Sequence, residues 1–165
     1  MKIARSNVHP MSNVKPLLDD HRPLERFPGK GGWTYVDLSD LDLPSDLPFG
    51  WVIVNGRIDN HALTRHKLMP KGDGNLFLSV RADIRKRIEK QAGDTVHVVL
   101  HLDEVPTELT PELREIFDAE SPEIRSRWEA LSPMEHRAQL MLIHSAQTQK
   151  QRVETIVKLL EKLST

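Results

Sequence analysis

The hydrophobic pattern of this chain changes its period near residue 103, and this change most constrains the fold. Before it, the clearest run is Thr95 to Leu102, which alternates and directs His97 and His101 away from four aliphatic side chains. After it, apolar residues recur at helical spacing. At 165 residues the chain is long enough for one domain or two small ones. We therefore predict an α+β fold that is β-rich first and helical second.

Turn residues divide the first part into short strands and one helix. Strands are predicted at residues 33–36, 50–54, 61–69 and 76–80, separated by turns that carry glycine and proline. The pair Asn55-Gly56 predicts either a type I′ hairpin or a bulge. We favour the bulge, with the strand continuing to Ile58 and the turn at Asp59-Asn60. A helix is predicted at residues 83–92 and is expected to end at Gly93, which accepts the left-handed conformation.

Three hydroxyl–proline pairs predict short helices in the second part. Thr110-Pro111, Ser121-Pro122 and Ser132-Pro133 recur 11 residues apart. Each pair places an N-cap hydroxyl before a proline at the first helical position. Ser132 and Glu135 also fit a capping box. A last helix is predicted from helically spaced apolar residues, which are Val153, Ile156, Val157, Leu160 and Leu163.

Composition excludes several classes of protein. Because the chain has no cysteine, it cannot hold a disulfide scaffold, a Cys-ligated zinc ion, an iron–sulfur cluster or a thiol nucleophile. A net charge of −1 argues against a protein whose affinity rests on neutralising phosphates. No apolar run approaches the roughly 18 residues of a spanning helix. The first seven residues lack the apolar stretch of a secretory signal. We expect a cytoplasmic protein without membrane insertion.

Charge divides at the same point as the periodicity. Residues 1–103 carry 15 basic and 13 acidic side chains, a balance of +2, whereas residues 104–165 carry 8 and 11, a balance of −3. Residues 1–26 contain three prolines and no clear periodicity, so we expect an irregular arm there.

Several motifs resemble a known pair of bacterial domains. In the first part they are Phe27-Pro28-Gly29-Lys30-Gly31-Gly32-Trp33, Phe49-Gly50-Trp51-Val52, Lys67-Leu68-Met69-Pro70-Lys71-Gly72-Asp73-Gly74, Ile84-Arg85-Lys86 and Gly93-Asp94-Thr95-Val96. In the second part they are Leu131-Ser132, Ile143-His144-Ser145-Ala146 and the stretch 152–163. Their order and spacing resemble a bacterial domain of unknown function. It is followed by a helical domain called YdeI/OmpD-associated, or bacteriocin-protection-like.

The resemblance implies a fold but no established reaction. It assigns residues 27–104 to a double-split β-barrel, similar to AbrB/MazE-type transcription factors, and residues 105–165 to a bundle of short α-helices. The family name associates its members with protection from bacteriocins and cationic peptides and with an outer-membrane porin. This chain departs from the family pattern at Leu142, which replaces a tryptophan. It also departs at Ala146-Gln147 and Lys150-Gln151-Arg152, where an Ala-Lys…Glu-Thr-Arg/Lys sequence is usual.

The sequence contains no recognisable metal or catalytic motif. His97 and His101 share a strand face but lie roughly 13 Å apart along the strand, too far to hold one ion. His61 and His66 are predicted to point to opposite faces. No Gly-x-Ser-x-Gly motif and no His-Glu-x-x-His motif is present. We expect no metal and no cofactor, and we assign no catalytic residue.

Binding is therefore the leading functional hypothesis. A glycine-bearing turn between apolar strands has backbone N–H groups that can cradle an anion, although we favour an ordinary hairpin turn with glycines at positive φ. The predicted partner is a small anionic ligand or a protein or peptide. The candidate residues for this site are Arg57, Arg65, Lys67, Lys71, Gly72, Asp73, Gly74 and Arg81.

Two other functions remain open. A nucleic-acid-binding regulator would use the basic residues of the first helix, which are Arg85, Lys86, Arg87 and Lys90. The same residues are also what the solvated face of an ordinary helix would carry.

The third hypothesis is an enzyme acting on a small metabolite through groups that only the fold brings together. Barrels of the implied type often dimerise, so a homodimer is compatible with the sequence. We expect the aromatic residues Trp33, Trp51, Phe77 and Trp128 to belong to the core.

Overall fold

The computed structural model describes residues 15–29 and 31–165 and has an α+β fold. The strands are β1 (Leu18–Pro23), β2 (Glu25–Arg26), β3 (Thr34–Asp37), β4 (Ile53–Ile58), β5 (His61–Lys67), β6 (Met69–Pro70), β7 (Leu76–Ser79) and β8 (Thr95–Leu102). The helices are α1 (Ala82–Ile88), α2 (Pro111–Ala119), α3 (Pro122–Glu129), α4 (Pro133–His144) and α5 (Gln149–Ser164), with a 3-10 turn at Pro48–Gly50. The predicted division into a β-rich first part and a helical second part is confirmed.

The strands form two antiparallel sheets. The first sheet has the order β1-β8-β4-β5, and the second sheet has the order β2-β3-β7-β6. The chain passes from the first sheet to the second at Leu24 and again at Leu68. Their backbone N–H groups donate to the carbonyls of Asp94 (2.8 Å) and Val52 (2.9 Å). Among the described residues the strands pair as two sheets and not as one closed barrel, so the double-split barrel stays a prediction.

One hydrophobic core lies against both sheets. Val96, Val98 and Leu100 of β8 are fully buried in it, as the alternation predicts. Leu102 was also expected to face inward, but it is 38% exposed. The pairing of β8 with β1 runs only from Thr95 to Leu100, so the last residue of β8 lacks a flanking strand on that side.

Gly56 forms the predicted bulge. The register between β4 and β5 shifts between Val54 and Gly56, and β4 continues to Ile58. Asp59 follows in the turn with a positive φ of 49°. A side chain at Gly56 would overlap the carbonyl oxygen of Val99 on β8, and its φ is 151°. Glycine is therefore required here both by the close approach of β8 and by the backbone conformation.

Two local expectations are corrected. Residues 18–26 are not irregular, because β1 pairs with β8 along its whole length and β2 pairs with β3. Backbone pairing orders this polar segment, which has no hydrophobic periodicity to predict a strand. Residues 1–14 of the expected arm lie outside the described residues.

Helix α1 ends at Ile88 and not at Gly93. Glu89 adopts the left-handed conformation, with φ 56°, and its N–H donates to the carbonyl of Arg85.

The helical part has a separate core. The hydroxyls of Thr110 and Ser132 cap α2 and α4, and Ser132 and Glu135 form the predicted capping box. Ser121 precedes α3 without a side-chain cap bond. The buried residues include Leu113, Phe117, Ile124, Trp128, Leu140, Ile143, Ile156, Leu159 and Leu163.

Helix α5 buries a different stripe from the one predicted. Val153 and Val157 are 49% and 45% exposed, whereas Leu159 is buried. The apolar residues of α5 have the spacing of two overlapping stripes along the helix. The stripe that packs against α3 and α4 is the one containing Ile156, Leu159 and Leu163. In the part of the chain that the structure describes, no helix has the length and apolar character needed to cross a bilayer.

The bulge gives a stability prediction. Gly56→Ala should lower the free energy of unfolding by roughly 3 kcal/mol or more, because it combines a steric overlap with a strained backbone. Gly74→Ala is the matched control: its φ is 87°, but a Cβ there meets no atom within 4 Å. It should cost about 1 kcal/mol. Urea unfolding followed by circular dichroism measures both values, and equal losses would contradict the close approach of Gly56 to β8.

Candidate binding surface

The outer face of the second sheet carries a cluster of aromatic side chains. Along β3 and β7, Val36 and Leu78 are cross-strand partners that point into the main core. Side chains alternate along a strand, so Tyr35 and Phe77 point to the opposite face. The N–H of Phe27 donates to the carbonyl of Trp33 (2.9 Å), which extends the pairing of β2 with β3 beyond Arg26. Strand pairing and alternation therefore place four aromatic rings on this face, those of Phe27, Trp33, Tyr35 and Phe77.

These rings pack against each other outside both cores. Phe27 stacks on Tyr35 with ring centroids 4.0 Å apart, and both rings meet Phe77 nearly edge-on at 5.0 and 5.4 Å. Trp33 lies edge-on to Phe77 at 6.1 Å. Phe77 is 4% exposed and Tyr35 is 9% exposed, but Trp33 at the margin is 53% exposed. We call Phe27, Trp33, Tyr35 and Phe77 the aromatic face.

A charged pair lies beside the aromatic face. The Nζ of Lys71 is 3.4 Å from Oδ1 of Asp37 and 5.9 Å from the centroid of the Tyr35 ring. Burial acts to raise the pKa of Asp37, but hydrogen bonds from Ser39 and Lys71 outweigh it and leave this pKa below its ordinary value. Burial, together with the nearby Glu25 carboxylate, raises the pKa of Tyr35. The phenol is therefore a neutral hydrogen-bonding group at physiological pH.

An open cleft of about 490 Å³ borders the aromatic face on the side of β2 and β3. Its lining contains three carboxylates and one guanidinium, and the lining residues are Arg22, Pro23, Glu25, Asp37, Ser39 and Asp40. Arg22 donates from both terminal nitrogens to the two oxygens of Asp40 at 2.7 Å. The hydrogen bond from Arg22 holds the pKa of Asp40 below its ordinary value. Because Arg22 pairs with Asp40 and Lys71 pairs with Asp37, Glu25 is the carboxylate of the cleft for which the described residues supply no basic partner.

The predicted anion-binding turn closes on itself. The N–H of Lys71 donates to the carbonyl of Asn75 (2.9 Å), and Oδ1 of Asp73 accepts the N–H of Asn75 (3.0 Å). Gly72 and Gly74 have φ values of 94° and 87°, as tight turns require. Lys71 itself reaches away from the turn to Asp37. The geometry is that of a hairpin turn in which the aspartate carboxylate caps the backbone.

The other predicted ligand-binding residues do not converge on this turn. Arg57 lies on the first sheet, and its Nη1 donates to the carbonyl of Asp59 (2.9 Å). Arg81, at the start of α1, is 3.3 Å from Asp83.

Arg65 and Lys67 also have partners of their own. Arg65 donates from Nη1 to the carbonyl of His144 on α4 (3.1 Å). The Nζ of Lys67 lies 4.0 Å from the ring centroid of Trp51, a cation–π contact. The four predicted site residues outside the turn therefore each contact a different neighbour; they are Arg57, Arg65, Lys67 and Arg81.

The basic residues of α1 form its exposed side. Ile84 and Ile88 are buried, while Lys86 and Arg87 are exposed and Arg85 is half-buried. Lys90 follows the helix and donates to the carbonyl of Thr95 (3.1 Å). This arrangement is that of an ordinary amphipathic surface helix, and nucleic-acid binding by these residues stays a prediction.

The aromatic face is the feature that sequence reasoning missed. Trp33 was expected in the core, but it is exposed because it lies at the margin of the outer face. Trp128 is buried in the helical core as predicted. The available signal was the alternation Trp33-Thr34-Tyr35, which places two rings on one side of β3 with the buried Thr34 between them. Among the described residues no group of three or more His, Cys, Asp or Glu side chains converges to hold a metal ion.

Two substitutions separate the exposed ring from the buried one. Phe77→Ala should lower the free energy of unfolding by about 3–5 kcal/mol, because it empties the centre of the aromatic face. Trp33→Ala should cost less than about 1 kcal/mol, as for other exposed positions. Guanidinium unfolding of both variants tests this difference. A loss for Trp33→Ala as large as that for Phe77→Ala would mean that Trp33 serves the fold rather than a surface.

Two family models match the chain, one after the other. A domain of unknown function (DUF1905) matches residues 22–100, and a family described as bacteriocin-protection, YdeI or OmpD-associated matches residues 106–165. Comparison with curated proteins and with solved structures finds no match. The resemblance drawn from the motifs is confirmed, in the expected order. The chain therefore combines a first part similar to DUF1905 domains with a second part similar to YdeI or OmpD-associated domains.

Proposed function

We propose that this protein is a non-catalytic binding module and that its partner docks on the aromatic face. The observation that carries this proposal is the exposure of Trp33 at the margin of a packed aromatic cluster outside both cores. Tryptophan and tyrosine dominate the binding energy of protein interfaces because they bury a large area with few rotatable bonds. The buried Phe77 ring packs edge-on to Trp33, so Trp33 is partly ordered before a partner covers it and less conformational entropy is lost on binding.

The proposed partner is a peptide or protein segment that carries an apolar or aromatic side chain next to a basic one. The apolar group would cover Trp33. The basic group would enter the cleft beside Glu25, since Asp40 and Asp37 are already paired with Arg22 and Lys71. A basic group also fits better than the small anion predicted from the sequence, because the three carboxylates Glu25, Asp37 and Asp40 exceed the two basic groups Arg22 and Lys71 by one.

The family description is consistent with a peptide partner. Its words are bacteriocin-protection, YdeI or OmpD-associated. Bacteriocins are themselves peptides or proteins, so a peptide of this class is one candidate for the occupant of the aromatic face. A role in bacteriocin protection is part of this proposal.

The double-split barrel also belongs to the proposal. It is supported by two places where consecutive strands divide between the sheets, β1 to β2 and β5 to β6. We accordingly treat residues 27–104 as the barrel-type domain, preceded by strands β1 and β2, and residues 105–165 as the helical domain. The separate hydrophobic cores of the two parts support this division.

A pair of designed peptides tests the proposed partner. The first is a hexapeptide that alternates arginine and tryptophan, and the second alternates glutamate and tryptophan. We expect the basic peptide to bind at least tenfold more tightly, since only its charge complements the cleft. In the protein, Trp33→Ala should weaken that binding by tenfold or more, as removal of an interface tryptophan commonly does. Isothermal titration calorimetry measures both differences.

Phe49→Ala is the matched control. Phe49 is 57% exposed and lies in the 3-10 turn, away from the aromatic face. Its substitution should leave the affinity for the basic peptide unchanged. Equal binding of the two peptides, or equal losses for Trp33→Ala and Phe49→Ala, would reject the aromatic face as a specific docking surface.

A further inference from the structure

The polar contacts between the two parts of the chain converge on one cluster. We call residues 15–103 the sheet half and residues 105–165 the helical half. Arg65 donates from Nη1 to the carbonyl of His144 (3.1 Å), and Gln147 donates from Nε2 to the carbonyl of Arg65 (2.9 Å). Nε2 of His144 lies 2.7 Å from Oδ2 of Asp103. With Asn55, which donates to the other oxygen of Asp103, these residues form the junction cluster.

Asp103 is the buried centre of the junction cluster. Its side chain is only 9% exposed, and that of His144 is 27% exposed. The close contact between Nε2 and Oδ2 lies outside hydrogen-bond geometry, so attraction between charges, rather than an aligned hydrogen bond, is what this contact can supply. A charge pair of this kind depends directly on whether the imidazole is protonated.

The remaining contact between the halves is limited. The two hydrophobic cores share no residue, and α4 contacts the sheet half at the 3-10 turn of residues 48–50. Interfaces between domains of one chain permit relative motion unless they are large and hydrophobic. The junction cluster contains the polar side-chain contacts that the described residues make between the halves, so a change of charge there acts directly on their docking.

We propose that the His144–Asp103 contact is a pH-sensitive link that tightens the docking of the helical half on the sheet half as the pH falls from 8 to 6. The proposal stands apart from the proposed function, because the junction cluster involves no residue of the aromatic face. It assigns a regulatory role to His144, which the YdeI or OmpD-associated part of the chain contributes.

The charged groups that face His144 determine whether docking tightens or weakens as the pH falls. Asp103, after β8, is the facing carboxylate. Burial acts to raise its pKa, but the close contact of His144 and the hydrogen bond from Asn55 outweigh burial and leave this pKa below its ordinary value, so Asp103 is ionised throughout this pH interval. Protonation of His144 therefore creates an attractive pair. If the pH falls further, through the pKa of Asp103, the contribution is lost again.

Two other groups act on His144. The guanidinium of Arg65, on β5, opposes protonation, although Asp103 also attracts it. His101, on β8, is the cross-strand partner of Asn55 and lies on the same face of the first sheet. Because His101 is a second imidazole on this face, the test must separate it from His144.

Distance measurement between two spin labels tests the link in the full chain. The protein has no cysteine, so Ala92→Cys and Ser126→Cys, both at exposed positions, place one label on each half. We expect a single narrow distance at pH 6 and a second, broader population at pH 8. The ratio of docked to separated molecules should change by about three- to tenfold, as for a partly buried charge pair.

Three variants assign the effect. His144→Gln should remove the pH dependence, and Asp103→Asn should also remove it, while keeping an oxygen that can accept from Asn55. His101→Gln should leave the pH dependence intact. Circular dichroism checks that each variant is folded. If Asp103→Asn does not fold, the result for His144→Gln alone tests the proposal, because His144 is the more exposed of the two side chains. Identical distance distributions of the parent protein at pH 6 and pH 8 would overturn the proposal, as would a pH dependence that survives His144→Gln.

Discussion

The two sheets share one hydrophobic core, and this arrangement leaves each sheet with an outer face that must be covered by something else or stay exposed. On the first sheet, the helical half lies near Asn55 and Asp103 through the junction cluster. On the second sheet, four aromatic rings pack on each other and leave Trp33 at the margin. The proposed docking surface follows from this division, because an outer face that carries ordered side chains is a surface on which docking costs little entropy.

Much of the fold could be predicted from local patterns. The bounds of β8, the bulge at Gly56 and the capping box at Ser132 depend on residues close together in sequence, so alternation, turn chemistry and capping rules are sufficient. The order of the two domains could be predicted from sequence motifs, because these motifs occur in this chain in the order and at the spacing typical of the two families.

The features that escaped prediction depend on distant residues. Strand β1 is polar and is ordered by pairing with β8, about eighty positions away along the chain. The contact of Asp103 with His144 joins residues from different halves, and only the docked structure brings them together. The sequence suggested one anion site for Arg57, Arg65, Lys67, Lys71 and Arg81, and the fold gives each of these side chains a contact with a different neighbour. A sequence shows which side chains are charged but not which neighbours the fold brings to them, so anion binding by these residues stays a prediction.

The central claim is that the aromatic face is where a partner docks. The three tryptophans provide internal probes, since Trp33 is on this face, Trp51 contacts Lys67 and Trp128 is buried in the helical core. The most direct measurement is ¹⁹F NMR of the protein labelled with 5-fluorotryptophan during titration with the unlabelled basic peptide. The account predicts that the Trp33 resonance shifts while the Trp128 resonance stays fixed. A titration that leaves Trp33 unchanged, or that moves only Trp51 or Trp128, would contradict it.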